Sequence, residues 1–160
     1  MAERPEEWLG AHLSRRKWRA ATAESCTGGL IAHRITNVPG SSAYFERGFI
    51  TYSNEAKMEL LGVPAEVLAA HGAVSEPCAR AMAEGARRAG GCEAGLSVTG
   101  IAGPAGGTPQ KPVGTVFVAV ALPSGTRCRE HRFQGGRLEI KEQTAEAALR
   151  FLREALEGER

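Results

Sequence analysis

The sequence predicts an α/β domain in which a mixed β-sheet is covered by helices on both faces. Three observations carry this expectation. Helix-period and strand-period segments alternate through the first half of the chain, and a β-branched hairpin follows in the second. The 160 residues also suit one domain, 1–160, of a size that buries roughly two-thirds of the surface its unfolded chain exposes.

In order, Pro5 at a first-turn position, Glu6 and Glu7 near the positive dipole end, and Trp8, Leu9, His12 and Leu13 at helical spacing give a first amphipathic helix. The run Arg15-Arg16-Lys17 with Arg19 marks its exposed end. Trp18 to Ala23 reads as a short strand. It delivers the small polar run Glu24-Ser25-Cys26-Thr27-Gly28-Gly29 to a second helix, Leu30 to Thr36. Such a strand-loop-helix unit is expected to point backbone amides at a helix mouth, where an anion binds readily. It lacks the P-loop and dinucleotide fingerprints.

Beyond Pro39-Gly40 the pattern predicts a short helical turn around Ser42 to Glu46, an extended run from Gly48 to Tyr52, and a helix from Asn54, as N-cap, to Leu61. Gly62 stops that helix, Pro64 opens another to about Ala70, and Ser75-Glu76-Pro77 caps a longer one to Ala89. Ala94 to Thr99 is an apolar strand. It runs into Gly100 to Pro112, where four glycines crowd thirteen residues. A loop this long between strands points to function, and glycine permits close approach of backbone to ligand. Val113 to Leu122 and Thr126 to Phe133 pair as a hairpin about Pro123-Ser124-Gly125. A last helix carries the stripe Ile140, Thr144, Ala147, Ala148, Phe151, Leu152 and Ala155.

Composition excludes several functions. Twenty basic residues against 18 acidic ones give a net charge of +2, too balanced for a nucleic-acid partner. Four scattered cysteines and four scattered histidines show no metal-ligand spacing, and the cysteines read as reduced thiols of a cytoplasmic protein. Neither a membrane span nor a signal sequence is visible.

The chemistry concentrates between Gly40 and Lys57, a stretch with several hydroxyls, a phenol and one amine but no histidine. A serine needs a partner to take its proton, and a lysine serves if burial lowers its pKa. Ser42, Tyr52 and Lys57 fit those roles, although Ser41 and Ser42 after Pro39-Gly40 also suit a plain turn.

Six ordered blocks together resemble one family: Thr22-Ala-Glu-Ser-Cys-Thr-Gly-Gly29, Gly40-Ser-Ser42, Tyr52-Ser-Asn-Glu-Ala-Lys57, Gly72-Ala-Val-Ser75, Ser97-Val-Thr-Gly-Ile-Ala-Gly-Pro104 and Lys111-Pro-Val-Gly-Thr115. They are similar to the CinA C-terminal domain family, the nicotinamide-nucleotide amidases also called PncC, over about residues 20–155. The resemblance implies a three-layer fold and hydrolysis of the carboxamide of nicotinamide mononucleotide to nicotinate mononucleotide and ammonia, within pyridine-nucleotide recycling. It implies no cofactor and no metal. It also implies Ser42 as nucleophile, Lys57 as base and Tyr52 as proton-transfer assistant, with Ser25, Thr99 and Arg137 lining the substrate site.

Gly28, Gly29, Gly100 and Gly103 join that binding set as glycines of the two loops, the substrate phosphate suiting Arg137 and the Gly28-Gly29 helix start. Oxyanion donors would come from the loop amides or from the short helix near Ser42. An extended run of five residues spans roughly 16 Å, so Ser42 and Lys57 meet only if the chain curls back or a second subunit supplies one of them. Ser25 as nucleophile is the alternative. A homodimer is expected, closed two-fold assemblies being the commonest.

Two rival functions are weighed. A short-chain dehydrogenase uses Tyr and Lys four apart, whereas Tyr52 and Lys57 are five apart and the dinucleotide glycines are missing. A non-catalytic nucleotide-binding regulatory domain would use the same glycine loops but has no need of a serine beside a neutral lysine.

Overall fold

The computed structural model describes residues 2–159. The chain runs α1 (Pro5–Arg16), β1 (Ala20–Glu24), α2 (Leu30–Thr36), a 3-10 turn (Ser41–Ala43), β2 (Phe45–Ile50), α3 (Asn54–Leu61), α4 (Ala65–His71), α5 (Glu76–Gly90), β3 (Ala94–Gly100), β4 (Thr115–Leu122), β5 (Gly125–Arg132) and α6 (Arg137–Glu157). The five strands form one mixed sheet in the order β2-β1-β3-β4-β5. β2, β1 and β3 are parallel, and the hairpin β4-β5 adds antiparallel to β3. The three central strands are buried almost throughout, whereas both edge strands alternate or lie open. Central strands covered on both faces need apolar side chains on both.

Helices α1, α2 and α6 cover one face. Leu9, Leu13, Ile31, Ile35, Ile140, Leu149 and Leu152 pack there on Leu96, Val98, Val116, Val118 and Val120. Helices α3 and α5 cover the other, where Leu61, Met82 and Ala86 meet Ala21 and Ala23. Glycine makes the second face thin. A Cβ on Gly95 of β3 would sit 2.2 Å from the Ala83 carbonyl of α5, and one on Gly85 of α5 would sit 2.0 Å from the Leu61 carbonyl of α3. Both glycines let backbone pack on backbone. Across the first face Arg34 of α2 joins Glu6 of α1 at 2.6 Å and Glu146 of α6 at 2.8 Å. No described helix is long and apolar enough to cross a membrane.

Several details depart from expectation. β1 runs from Ala20 to Glu24 instead of Trp18 to Ala23, and β2 starts at Phe45 instead of Gly48, because Phe45 pairs with Ala20 and Ile50 with Glu24. Tertiary pairing overrides local propensity here. The N-cap of α3 is Ser53, whose Oγ accepts from the Ala56 amide at 3.0 Å; Asn54 is already helical. Ala147 leaves the buried stripe of α6 and lines a surface groove.

Candidate active site

Ser25 follows the last residue of β1, and its amide donates to the Val98 carbonyl of β3 at 3.1 Å. On the other side of β1, the Thr51 amide donates to the Glu24 carbonyl at 2.9 Å, so the chain stays beside β1 after β2 formally ends. Helix α2 leaves β1 on one sheet face and α3 leaves β2 on the other. That reversal opens a crevice at the carboxyl ends of parallel strands, where ligands of open α/β sheets bind.

Lys57, on the inner face of α3, reaches into the crevice and is only 1% exposed. Its Nζ lies 3.0 Å from Ser25 Oγ and donates to the Thr51 carbonyl at 2.6 Å. No carboxylate lies within 4.0 Å of it among the described residues. Burial lowers its pKa from 10.5, and nearby Cys78 and Cys26 are the opposing influences. A thiol opposes only as a thiolate. Burial holds Cys26 up to about 12 and Cys78 to about 11, so both are neutral thiols at physiological pH and burial prevails. The structure therefore sets an amine whose pKa burial lowers against a serine hydroxyl.

The cleft around this pair has a volume of about 240 Å³. Tyr52, Asn54, Thr99, Gly100 and Arg137 line it together with Ser25 and Lys57. Thr99 Oγ1 donates to the Ala73 carbonyl at 2.9 Å, tying the loop after α4 to the end of β3. Arg137 spans the mouth, donating to the Gly103 carbonyl at 2.6 Å and to the Tyr52 phenolic oxygen at 2.9 Å. Tyr52 is 63% exposed, a rim residue whose phenol is engaged with Arg137. A larger concavity of about 690 Å³ lies between α2 and α6. It holds no nucleophile, and its Arg34 and Arg150 are paired with Glu146. The paired serine and lysine lie in the smaller cleft.

Two expectations need correction. Ser42 is not beside Lys57: it lies in the exposed 3-10 turn ahead of β2, at the amino end of β1, while Ser25 and Lys57 lie at the carboxyl end. Six residues of β2 separate the two ends by roughly 17 Å. Within one chain it is Ser25, the alternative, that meets the lysine.

The second correction concerns Gly28 and Gly29. Their loop does not present a ring of free amides, because the Glu24 carboxylate occupies that helix mouth. It accepts from Thr27 Oγ1 at 2.5 Å and from the amides of Gly29, Ile31 and Ala32 at 3.2, 2.9 and 3.0 Å. The Gly28 amide donates to the Ser25 carbonyl. A carboxylate at a helix start takes the place an external anion would fill. Asn54, Ala73 and Ala102 of the lining and the capping Glu24 stand inside the motif blocks but carry no assigned role there. The signal for Glu24 was its place at a strand end, with five small or polar residues between it and the helix start.

The chain resembles known proteins over nearly all its length. The family model described as the CinA C-terminal domain matches residues 2–156. A CinA-like protein of Anaeromyxobacter dehalogenans is 58% identical over 146 residues, 91% of this chain and 36% of that protein. One from Syntrophobacter fumaroxidans is 56% identical over 147 residues, 92% of this chain and 35% of that protein. The chain thus spans about a third of the length of these curated relatives. Among solved structures, the competence/damage inducible protein CihA from Agrobacterium tumefaciens superposes with a TM-score of 0.93 at 41% identity, covering 98% of this chain and 99% of that one. A CinA superfamily protein from Klebsiella pneumoniae gives 0.90 at 35% identity, covering 96% and 98%. With its sheet order, its crevice and these likenesses in agreement, the chain belongs to the CinA C-terminal domain family.

Proposed function

We propose that this domain is an amidohydrolase that converts nicotinamide mononucleotide to nicotinate mononucleotide and ammonia, with Ser25 as nucleophile and Lys57 as its base. The observation that carries the reading is the 3.0 Å contact between Ser25 Oγ and a buried Lys57 Nζ. An amine without a counterion in that position has a lowered pKa and is suited to removing a hydroxyl proton.

Neutral Lys57 takes the Ser25 proton as Oγ attacks the carboxamide carbon. The resulting ammonium returns a proton to the departing nitrogen, releasing ammonia and leaving a seryl ester. Lys57 then takes a proton from water, the hydroxide attacks the ester carbon, Lys57 returns that proton to Ser25 Oγ as the ester C–O bond breaks, and the carboxylic acid released loses its own proton to solvent to become the carboxylate. Negative charge on the tetrahedral oxygen requires donors, and the amides of Cys26 and Thr27 find no oxygen acceptor among the described residues. An amide directly after the nucleophile is well placed for that task. Tyr52 and Arg137 serve at the mouth, in contact with the substrate beyond its carboxamide. The mechanism calls on no metal or organic cofactor.

The test is ammonia release from nicotinamide mononucleotide. Ser25→Ala, Lys57→Ala and the double variant should fall to one common floor, since groups acting as a unit are grossly non-additive, while Ser42→Ala should retain most of the turnover. Loss of activity in Ser42→Ala with retention in Ser25→Ala would overturn the assignment. Tight nucleotide binding without ammonia release by the wild-type protein would instead favour a regulatory binding domain.

A further inference from the structure

We infer that Lys141 is a specificity residue that, with Arg137, receives the phosphate of the substrate and so separates nucleotides from unphosphorylated ribosides. This rests on reading the cleft as the site of a nicotinamide nucleotide. It assigns that site a cation which the sequence motifs do not contain.

The carboxylate of Glu24 fills the helix mouth of α2. With the amides of Gly29, Ile31 and Ala32 committed to that carboxylate, a phosphate at this rim has to be met by side chains. Arg137 and Lys141 stand one turn apart on α6, a spacing that puts both on one helix face with their Cβ atoms roughly 6 Å apart. The guanidinium reaches one side of the mouth, at Gly103 and Tyr52. Lys141 lies outside the residues that line the cleft itself. Its Nζ lies 3.8 Å from the position a Cβ on Gly28 would take, directly over the loop that carries Ser25.

The charge of neither group is compensated. Arg137 donates only to a carbonyl and a phenol, both neutral, and Lys141 has no hydrogen-bond or ion-pair partner among the described residues. Of the carboxylates nearby, Glu139 accepts from the Gly136 amide at 2.9 Å and Glu24 caps α2, while Glu142, next in sequence, makes no ion pair with Lys141. Two unpaired cations, Arg137 at the cleft mouth and a half-buried Lys141 over the adjoining Ser25 loop, suit a dianionic phosphate at the far end of a substrate whose carboxamide points at Ser25.

The experiment measures binding of nicotinamide mononucleotide and of nicotinamide riboside by calorimetry to the full chain carrying Ser25→Ala, which suppresses turnover. Adding Lys141→Gln should weaken nucleotide binding by about tenfold, the size expected of one charge-assisted contact, and leave riboside binding within about twofold. Lys141→Arg should restore most of the nucleotide affinity. Unchanged nucleotide affinity, a parallel loss for the riboside, equal affinity for both ligands before the substitution, or no binding of either would each overturn the proposal. The amidase reading fails differently. Ammonia release by the otherwise wild-type protein would be missing while the Lys141-dependent preference for the phosphorylated ligand persisted.

Discussion

A buried ammonium without a counterion costs several kcal/mol, and Lys57 carries that cost whenever it is protonated in the folded state. Its pKa in the fold is below 10.5. Between that lowered value and 10.5 the unfolded chain binds a proton that the native protein does not, so stability falls as pH drops through this window and the full penalty applies below it. Lys57→Met should therefore stabilise the protein at neutral pH by about 1–2 kcal/mol. The gain should shrink as pH approaches 10.5, as urea unfolding at pH 7 and pH 9.5 would show. An unstable Lys57→Met protein at pH 7 would mean that the hydrogen bond to the Thr51 carbonyl outweighs the desolvation. The same shift predicts that turnover rises with pH through the lowered pKa of Lys57, and that this limb disappears in Lys57→Ala, read from the pH profile of kcat.

At the scale of elements, the Ser25 loop is set by what lies on either side of it. Glu24 holds the start of α2 with four accepted hydrogen bonds, and it is 1% exposed. Glu24→Gln exchanges one accepting oxygen for an amino group that faces donors, and should cost about 2 kcal/mol by the loss of charge-assisted bonds and the unpaired donors left behind. Turnover should fall with stability, because the same loop presents Ser25. Unchanged unfolding in denaturant would show that the loop does not depend on this cap. On the opposite face, Gly85 admits the Leu61 carbonyl at the end of α3. Gly85→Ala forces α3 away from α5 and should destabilise by about 1–3 kcal/mol through overpacking. It should also separate Lys57 from Ser25. A crystal structure of the variant with the 3.0 Å contact intact would refute that coupling.

For the molecule as a whole, the proposal is a two-fold homodimer, and light scattering at micromolar protein should give twice the 16.9 kDa of the chain. A monomeric mass would refute it. The apolar face of α1 is not available for that assembly. Leu9 and Leu13 of α1 are 2% exposed and packed within the chain's own core. What stays open is a set of apolar side chains by the cleft, Ile50, Tyr52 and Leu138, each more than half exposed. They adjoin the Ser25 loop and Arg137, since Ile50 lies against Gly29 and Tyr52 against Arg137. A partner seated there would also border the substrate mouth.

The sequence by itself determined the order and type of the elements, because hydrophobic period, caps and glycine breaks act within a dozen residues. Leu30 to Thr36, the helix from Ser75, and the hairpin about Gly125 were legible on those terms. It also determined most of the cleft's inventory, since Ser25, Tyr52, Lys57, Thr99 and Gly100 stand in motifs that one sheet edge gathers. Only the tertiary structure decided which serine meets the lysine. Ser42 is nearer to Lys57 along the chain, yet an extended strand carries it away, while the parallel pairing of β1 with β2 brings Ser25 across a separation of 32 residues. The same holds for the helix mouth of α2. Local sequence identifies a run of small residues before a helix, but whether its amides face a ligand or the chain's own Glu24 depends on where a strand end points in three dimensions.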